Sequence, residues 1–246
     1  MTNRLFYAYA RHALVTALRM ARVTTGSTVL IPHFICRDVL ASISAVGAKP
    51  VFYDIDDDLQ VSQNTMLPSA AAVLAVNYFG FPADLGRLRQ QLSDPTTIII
   101  EDNAHGWLSA DEDGVPLGTR TALGITSFRK TLLCPDGAFL SWNDVPEIVS
   151  NEIHQPLGSR VDSLGLGFRA RYLTKRLELL TSLPVRSLSR IVIRAGRQAL
   201  RKPAIYEYPG DEFELPAQHV IHRFSLKLFQ ETNQLQEVSR RRRLFE

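Results

Sequence analysis

The chain has 246 residues, 45% hydrophobic and 22% charged, with a net charge of +3, as suits a globular protein long enough to bury a core. No apolar run reaches the roughly 18 residues of a membrane span, and the start Met1-Thr2-Asn3-Arg4-Leu5-Phe6 lacks the apolar stretch and cleavage site of a signal peptide. Cys36 and Cys134 have neither metal-ligand spacing nor a disulfide framework, so a reducing cytoplasm is the expected compartment and no metal is expected.

Taken in chain order, Ala13, Leu14, Ala17, Leu18 and Ala21 recur at helical spacing and predict a helix over 11–23, broken by Thr24-Thr25-Gly26-Ser27. A short apolar strand over 29–31 ends at Pro32, a helix over 37–46 stops at Gly47, and strands follow at 50–55 and 71–76. A polar-faced helix spans 85–92 and an apolar strand 97–100. Two further strands, 125–128 and 138–142, flank the turn Cys134-Pro135-Asp136-Gly137. Continuous apolar strands alternating with helices predict an α/β fold, a mostly parallel sheet flanked by helices, with ligands at the carboxyl ends of the strands.

Beyond 150 the character changes. Gly158, Gly165 and Gly167 mark loops, Pro184 separates helices at 172–181 and 186–201, a loop covers 203–219, and a final helix runs from about Ser225 to the end. The expected organisation is an α/β domain over 1–150 and a helical, basic segment over 151–246. With no element after the last helix to pack on, the sequence is expected to lack a C-terminal part.

Two positions carry chemistry. The apolar run to Ile100 is followed by Glu101 and Asp102, and the strand at 125–128 by Arg129 and Lys130. An acid and an amine delivered by two strand ends to one pocket suit pyridoxal phosphate. The lysine forms a Schiff base with the cofactor aldehyde, and the acid keeps the pyridine nitrogen protonated so that the ring accepts electrons. Each half alone is weak, since an Asp after a strand is commonly a loop residue and a lone Lys a solvated charge. The other lysines, Lys49, Lys175, Lys202 and Lys227, fall in a turn or in or beside polar helical stretches.

Several segments together give a resemblance. They are Gly26-Ser27-Thr28-Val29-Leu30-Ile31-Pro32, Gly47-Ala48-Lys49-Pro50-Val51-Phe52-Tyr53-Asp54-Ile55-Asp56, Asn77-Tyr78-Phe79-Gly80-Phe81-Pro82-Ala83-Asp84, Ile100-Glu101-Asp102-Asn103-Ala104-His105-Gly106, and Phe128-Arg129-Lys130-Thr131-Leu132 with Pro135-Asp136-Gly137. This pattern resembles the DegT/DnrJ/EryC1/StrS aminotransferases, in a divergent branch, well over residues 10–145 and loosely beyond. The resemblance implies a fold-type I large domain with a truncated small domain. It implies an enzyme that moves an amino group from an amino acid, glutamate by family habit, to a keto-sugar, often nucleotide-linked, in polysaccharide or secondary-metabolite biosynthesis.

By the same resemblance Asp102 pairs with the pyridinium nitrogen, Lys130 attaches the cofactor and then moves the substrate proton, and Ser127 binds the cofactor phosphate. His105 stands near the ring hydroxyl, and Arg11 lies where the family has a phosphate cradle. Either could instead be a surface residue or a satisfied core group. The family's ring-stacking aromatic falls at Cys36, with Phe34 nearby as a substitute. Ser127 and Lys130 are closer in sequence than is usual, and Ile221 replaces the Asn that a partner subunit supplies, although Arg223 is kept. Retention of Lys130 argues against a dehydratase branch. A homodimer is implied, holding cofactor weakly and turning over little without the absent part.

A second reading is a non-catalytic protein on this fold. Ten basic residues and one acid, Glu178, lie between Arg169 and Lys202, and the chain carries Arg240-Arg241-Arg242-Arg243 near its end. Leu173, Leu177, Leu180, Leu188, Ile191 and Ala195 give those helices an apolar side, which suits a core or a dimer mate better than a membrane surface. Nucleic acid is not expected, because aromatics do not interleave the basic region.

Overall fold

The computed structural model describes residues 2–63, 65–143, 163–181 and 214–243. The chain divides into one unit of Met1–Arg160 with Glu212–Glu246, and a second of Val161–Asp211. The described part of the terminal stretch, 214–243, thus groups with the first unit.

The first unit is built on a seven-stranded sheet of order β1-β7-β6-β5-β4-β2-β3. The strands are β1 Asn3–Tyr7, β2 Thr28–Pro32, β3 Lys49–Tyr53, β4 Ala72–Val76, β5 Ile98–Asn103, β6 Leu123–Thr126 and β7 Ala138–Trp142. From β3 to β6 all pairs are parallel, while β7 runs antiparallel to both β6 and β1. Pro50 is tolerated because β3 is an edge strand.

Side chains of a strand alternate between faces, and both faces here are apolar. Leu74, Ile100, Ile125 and Leu140 point to a core shared with helices α1 Ala10–Met20 and α2 Asp38–Ala45. Val73, Ala75 and Ile99 point the other way, onto a core with Leu88 of helix α3 Leu85–Gln91. A third cluster joins Trp107, Phe128, Phe139, Ile221 and Phe229.

The expected elements of 11–142 are present. The structure adds β1, and it ends the strand expected over 125–128 at Thr126, with Phe128–Lys130 forming a single 3₁₀ turn. The expected terminal helix is two helices, α5 Arg223–Glu231 and α6 Gln234–Arg242. Asn233 breaks them apart by capping the second, its side chain accepting from the Gln236 N–H at 3.1 Å. The first of these helices packs on the first unit. Phe229 of α5 lies 4.8 Å from Phe128 and 5.2 Å from Phe6 between ring centroids.

In the second unit, helix α4 runs Leu166–Thr181, six residues earlier than expected, so Gly167 is helical rather than a loop marker. Leu173 and Leu177 are exposed. The expected helix over 186–201 lies outside the described residues. Among the described residues no helix is long and apolar enough to cross a membrane.

Candidate active site

Because β1 runs parallel to β6, its carboxyl end meets those of β4–β6, and α1 starts at that edge. Side-chain alternation then sorts the residues. Asp102 and Ile125 are register partners on one face, with Ser127 two residues on, while Asn103 and Thr126 face the other way. Asp102, Ile125 and Ser127 line a cavity of about 340 Å³, within the range of about 300–1,000 Å³ seen for small-ligand sites. The walls are completed by Tyr9 to Arg11 at the α1 start, Phe34 to Cys36 before α2, Tyr78 and Phe79 after β4, His105 after β5, and Arg129 with Lys130 after β6.

All seven residues singled out in the sequence, Arg11, Phe34, Cys36, Asp102, His105, Ser127 and Lys130, therefore lie on this one cavity. Asp102 is 6% exposed and accepts one hydrogen bond, from the Ala104 N–H at 2.9 Å. Burial pushes its carboxyl pKa up, against the smaller opposing pull of that bond and of the Lys130 charge. Lys130 is exposed to the cavity side of its turn. The His105 pKa is lowered, first by burial and then by Lys130, and its ring stacks on Phe79 at 5.9 Å and 10°. Phe79 itself has φ 56, a left-handed backbone that a bulky residue rarely adopts.

The position of the family's ring-stacking aromatic holds Cys36, as the sequence reads. That side chain is exposed and its thiol free, so no ring stands there. Phe34 stacks on Tyr78 at 5.5 Å and 25°, and the Tyr78 hydroxyl donates to the Phe34 carbonyl at 2.6 Å. Burial and the Asp102 charge push the Tyr78 phenol up, so it stays protonated. Arg11 faces Asp38 at 3.6 Å and donates to the Glu214 carbonyl at 3.3 Å. Ser127 is 2% exposed, and among the described residues its hydroxyl has no hydrogen-bond partner.

Two buried networks hold these walls, and no local sequence pattern signals either. Behind Asp102, the fully buried Glu101 receives the Arg120 Nε–H at 2.7 Å, the Arg120 backbone N–H at 3.0 Å and the Asn77 amide at 2.8 Å. Beside Lys130, Asp136 accepts from the Gln218 amide, the His222 N–H and the Ser225 hydroxyl, which ties the C-terminal stretch to the turn before β7. Gly137 in that turn has φ +137, and a Cβ there would lie 2.3 Å from the Phe128 ring. The turn carrying Lys130 closes through the Arg129 N–H to the Gly137 carbonyl at 3.1 Å. Tyr78, Phe79 and Arg129 carry no individual signal in the sequence beyond their motifs. Their position straight after apolar strands was the signal available.

The DegT/DnrJ/EryC1/StrS aminotransferase family model matches residues 7–153. A UDP-N-acetyl-3-dehydro-alpha-D-glucosamine 3-aminotransferase from Acidithiobacillus ferrooxidans is 29% identical over 121 residues, covering 47% of this chain and 32% of the relative. An L-glutamine:2-deoxy-scyllo-inosose aminotransferase from Streptomyces kanamyceticus is 29% identical over 132 residues, covering 51% and 30%. The chain thus spans about a third of the length of these curated relatives. Among solved structures, the Streptococcus pneumoniae sugar aminotransferase Spr1654 in its PMP form superposes with a TM-score of 0.51 at 22% identity, over 61% of this chain and 44% of that one. Its PLP form gives 0.50 at 23% identity, over 63% and 47%; this likeness is one of fold. With the family pattern covering more than half of the residues and the fold agreeing, the chain belongs to the DegT/DnrJ/EryC1/StrS aminotransferase family, a family of pyridoxal-phosphate enzymes.

Proposed function

We propose that this protein is a pyridoxal-phosphate-dependent aminotransferase that takes an amino group from glutamate and delivers it to a keto-sugar carried on a nucleotide. The observation that carries the reading is the buried carboxylate of Asp102 near the end of β5 and the amine of Lys130 in the turn after the adjacent parallel strand β6, both on one cavity. The sugar class follows from the two curated relatives, whose names describe amino transfer to a UDP-linked amino sugar and to a cyclitol.

The residues fit the cofactor. When bound, pyridoxal phosphate supplies an aldehyde that captures amines and a ring that stabilises a deprotonated carbon. Asp102 is desolvated and accepts only one backbone hydrogen bond, so a protonated ring nitrogen gives it the partner its burial calls for. Lys130 would attach the aldehyde, and its Nζ is placed to hold and move a proton at the reacting carbon. Ser127, Arg11 and the free N–H groups at the α1 start bind the phosphate. His105, held neutral at pH 7 by its lowered pKa, hydrogen-bonds the ring hydroxyl. Phe34 and Phe79 would flank the cofactor and exclude water, with Cys36 on the same wall. Phe34 and Phe79 remain 56% and 65% exposed, which suits a homodimer whose second copy covers them.

The test is a spectroscopic titration. Added pyridoxal phosphate should produce the visible band of covalently held cofactor. L-glutamate should then bleach it with release of the keto acid, and a UDP-linked keto-sugar should restore it. L-glutamine in place of glutamate reads out the donor. Absence of the band at saturating cofactor would overturn the proposal.

A further inference from the structure

Two arginines face the cavity, and they differ in how their charge is met. Arg11 lies 3.6 Å from Asp38 and also donates to a carbonyl. Arg129 has no ion-pair partner among the described residues. Its guanidinium sits 5.2 Å from the centroid of Tyr9, the N-cap residue of α1, in a cation–π contact. Asp136 is the carboxylate whose field it feels, and that group is already occupied by Gln218, His222 and Ser225.

Three features therefore line the same cavity. One is the α1 N-terminus, which has no acidic residue in its first turn. Another is the Ser127 hydroxyl, buried at 2% exposure and without a partner among the described residues. The third is the unneutralised guanidinium of Arg129. Each is a donor, and their summed charge is positive.

We propose that Arg129 is the phosphate-positioning residue of this chain, adding a guanidinium to the helix end and Ser127 where Arg11 is largely neutralised by Asp38. The proposal rests on the cofactor reading above. Only two residues separate Ser127 from Lys130, and Arg129 is one of them. The short 3₁₀ turn Phe128–Lys130 therefore brings its side chain to the same wall as the lysine. A guanidinium recognises a phosphate through charge-assisted, paired hydrogen bonds, which an ammonium reproduces only in part.

The experiment compares pyridoxal phosphate with pyridoxal, which carries the same aldehyde and ring but no phosphate. Affinities are measured by absorbance for the wild type, Arg129→Gln, Arg129→Lys and Arg11→Gln, after thermal melts establish which variants are folded. Arg129→Gln should weaken pyridoxal phosphate about 10- to 100-fold and leave pyridoxal within about twofold. Arg129→Lys should recover part of the loss, and Arg11→Gln should cost less than Arg129→Gln. Inorganic phosphate should compete with pyridoxal phosphate on the wild type and less well on Arg129→Gln. Unchanged pyridoxal phosphate affinity in Arg129→Gln would overturn the inference while leaving the cofactor reading intact. Equal losses for both ligands would assign Arg129 a structural role and also overturn it. A wild type that binds neither ligand would remove the cofactor reading and this inference together. Should Arg129→Gln fail to fold, Arg129→Lys decides: a loss of affinity for pyridoxal phosphate but not for pyridoxal supports the inference, and unchanged or equal losses overturn it.

Discussion

Arg120→Ala is expected to damage this protein more than any loss of a surface charge. Its partner Glu101 is completely buried, and the Arg120 side chain is 11% exposed. The guanidinium donates through Nε to Glu101 at 2.7 Å, and through its other nitrogens to the Asn77 side chain at 2.9 Å and the Ala83 carbonyl at 3.1 Å. Alanine removes all three and leaves a carboxylate buried with only the Asn77 amide and one backbone N–H. Removing one partner of a buried pair costs about 3–5 kcal/mol, a large share of the roughly 5–15 kcal/mol by which a typical protein is stable. The double replacement Glu101→Gln with Arg120→Met removes the orphan charge and fills the volume, so it should lose less than Arg120→Ala alone. Urea unfolding followed by the fluorescence of Trp107 and Trp142 gives both numbers. A loss below about 1 kcal/mol, as for an exposed pair, or a double variant no better than the single one, would refute the reasoning. Because Glu101 directly precedes Asp102, Arg120→Ala should also weaken cofactor binding.

Asp102→Asn should make the cofactor-free protein more stable at pH 7 while slowing amino transfer by several orders of magnitude. The sign follows from the raised pKa: the wild type loses stability relative to Asn as pH rises through the ordinary carboxylate range up to that raised value, so the difference must vanish in acid. Unfolding curves at a series of pH values check this, and a pH-independent difference would contradict it. Phe229→Ala should cost about 3–5 kcal/mol, because the ring packs on Phe128, Phe6 and Trp107. Since Phe128 begins the Lys130 turn, a cofactor titration of the same variant should show weaker binding. His12 is held neutral down to about pH 4, first by burial and then by His219, with Arg11 adding a smaller push. Its contribution is complete above its unfolded pKa and fades as pH falls from about 6.5 toward 4, so the stability lost between pH 7 and pH 5 should shrink in His12→Gln.

The parts of the fold legible in the sequence were those written in local pattern. The runs 71–76 and 98–100 are apolar at every position because both sheet faces are covered, and Asp102 stood out because it closely follows such a run. β1 was missed because Asn3 and Arg4 are exposed on an edge strand and only Leu5 to Tyr7 move inward. The break at Asn233 had a local signal, a capping residue before a polar helix, but the basic run through Arg243 reads as continuous helix. Arg129 read as one more charge beside a lysine, since only the fold lays it over Tyr9. The Glu101–Arg120 pair lies 19 residues apart, and nothing local links the two. The same holds for the ties of Asp136 to Gln218, His222 and Ser225, which exist only once the chain has returned.

The central claim is that Lys130 is the residue to which pyridoxal phosphate is attached. Borohydride reduction of the cofactor-loaded protein fixes the adduct irreversibly, and peptide mass mapping then locates it among Lys49, Lys130, Lys175, Lys202 and Lys227. The account predicts a single stoichiometric adduct on Lys130 that is lost in Lys130→Ala. An adduct on another lysine, or one that persists in Lys130→Ala, would contradict it.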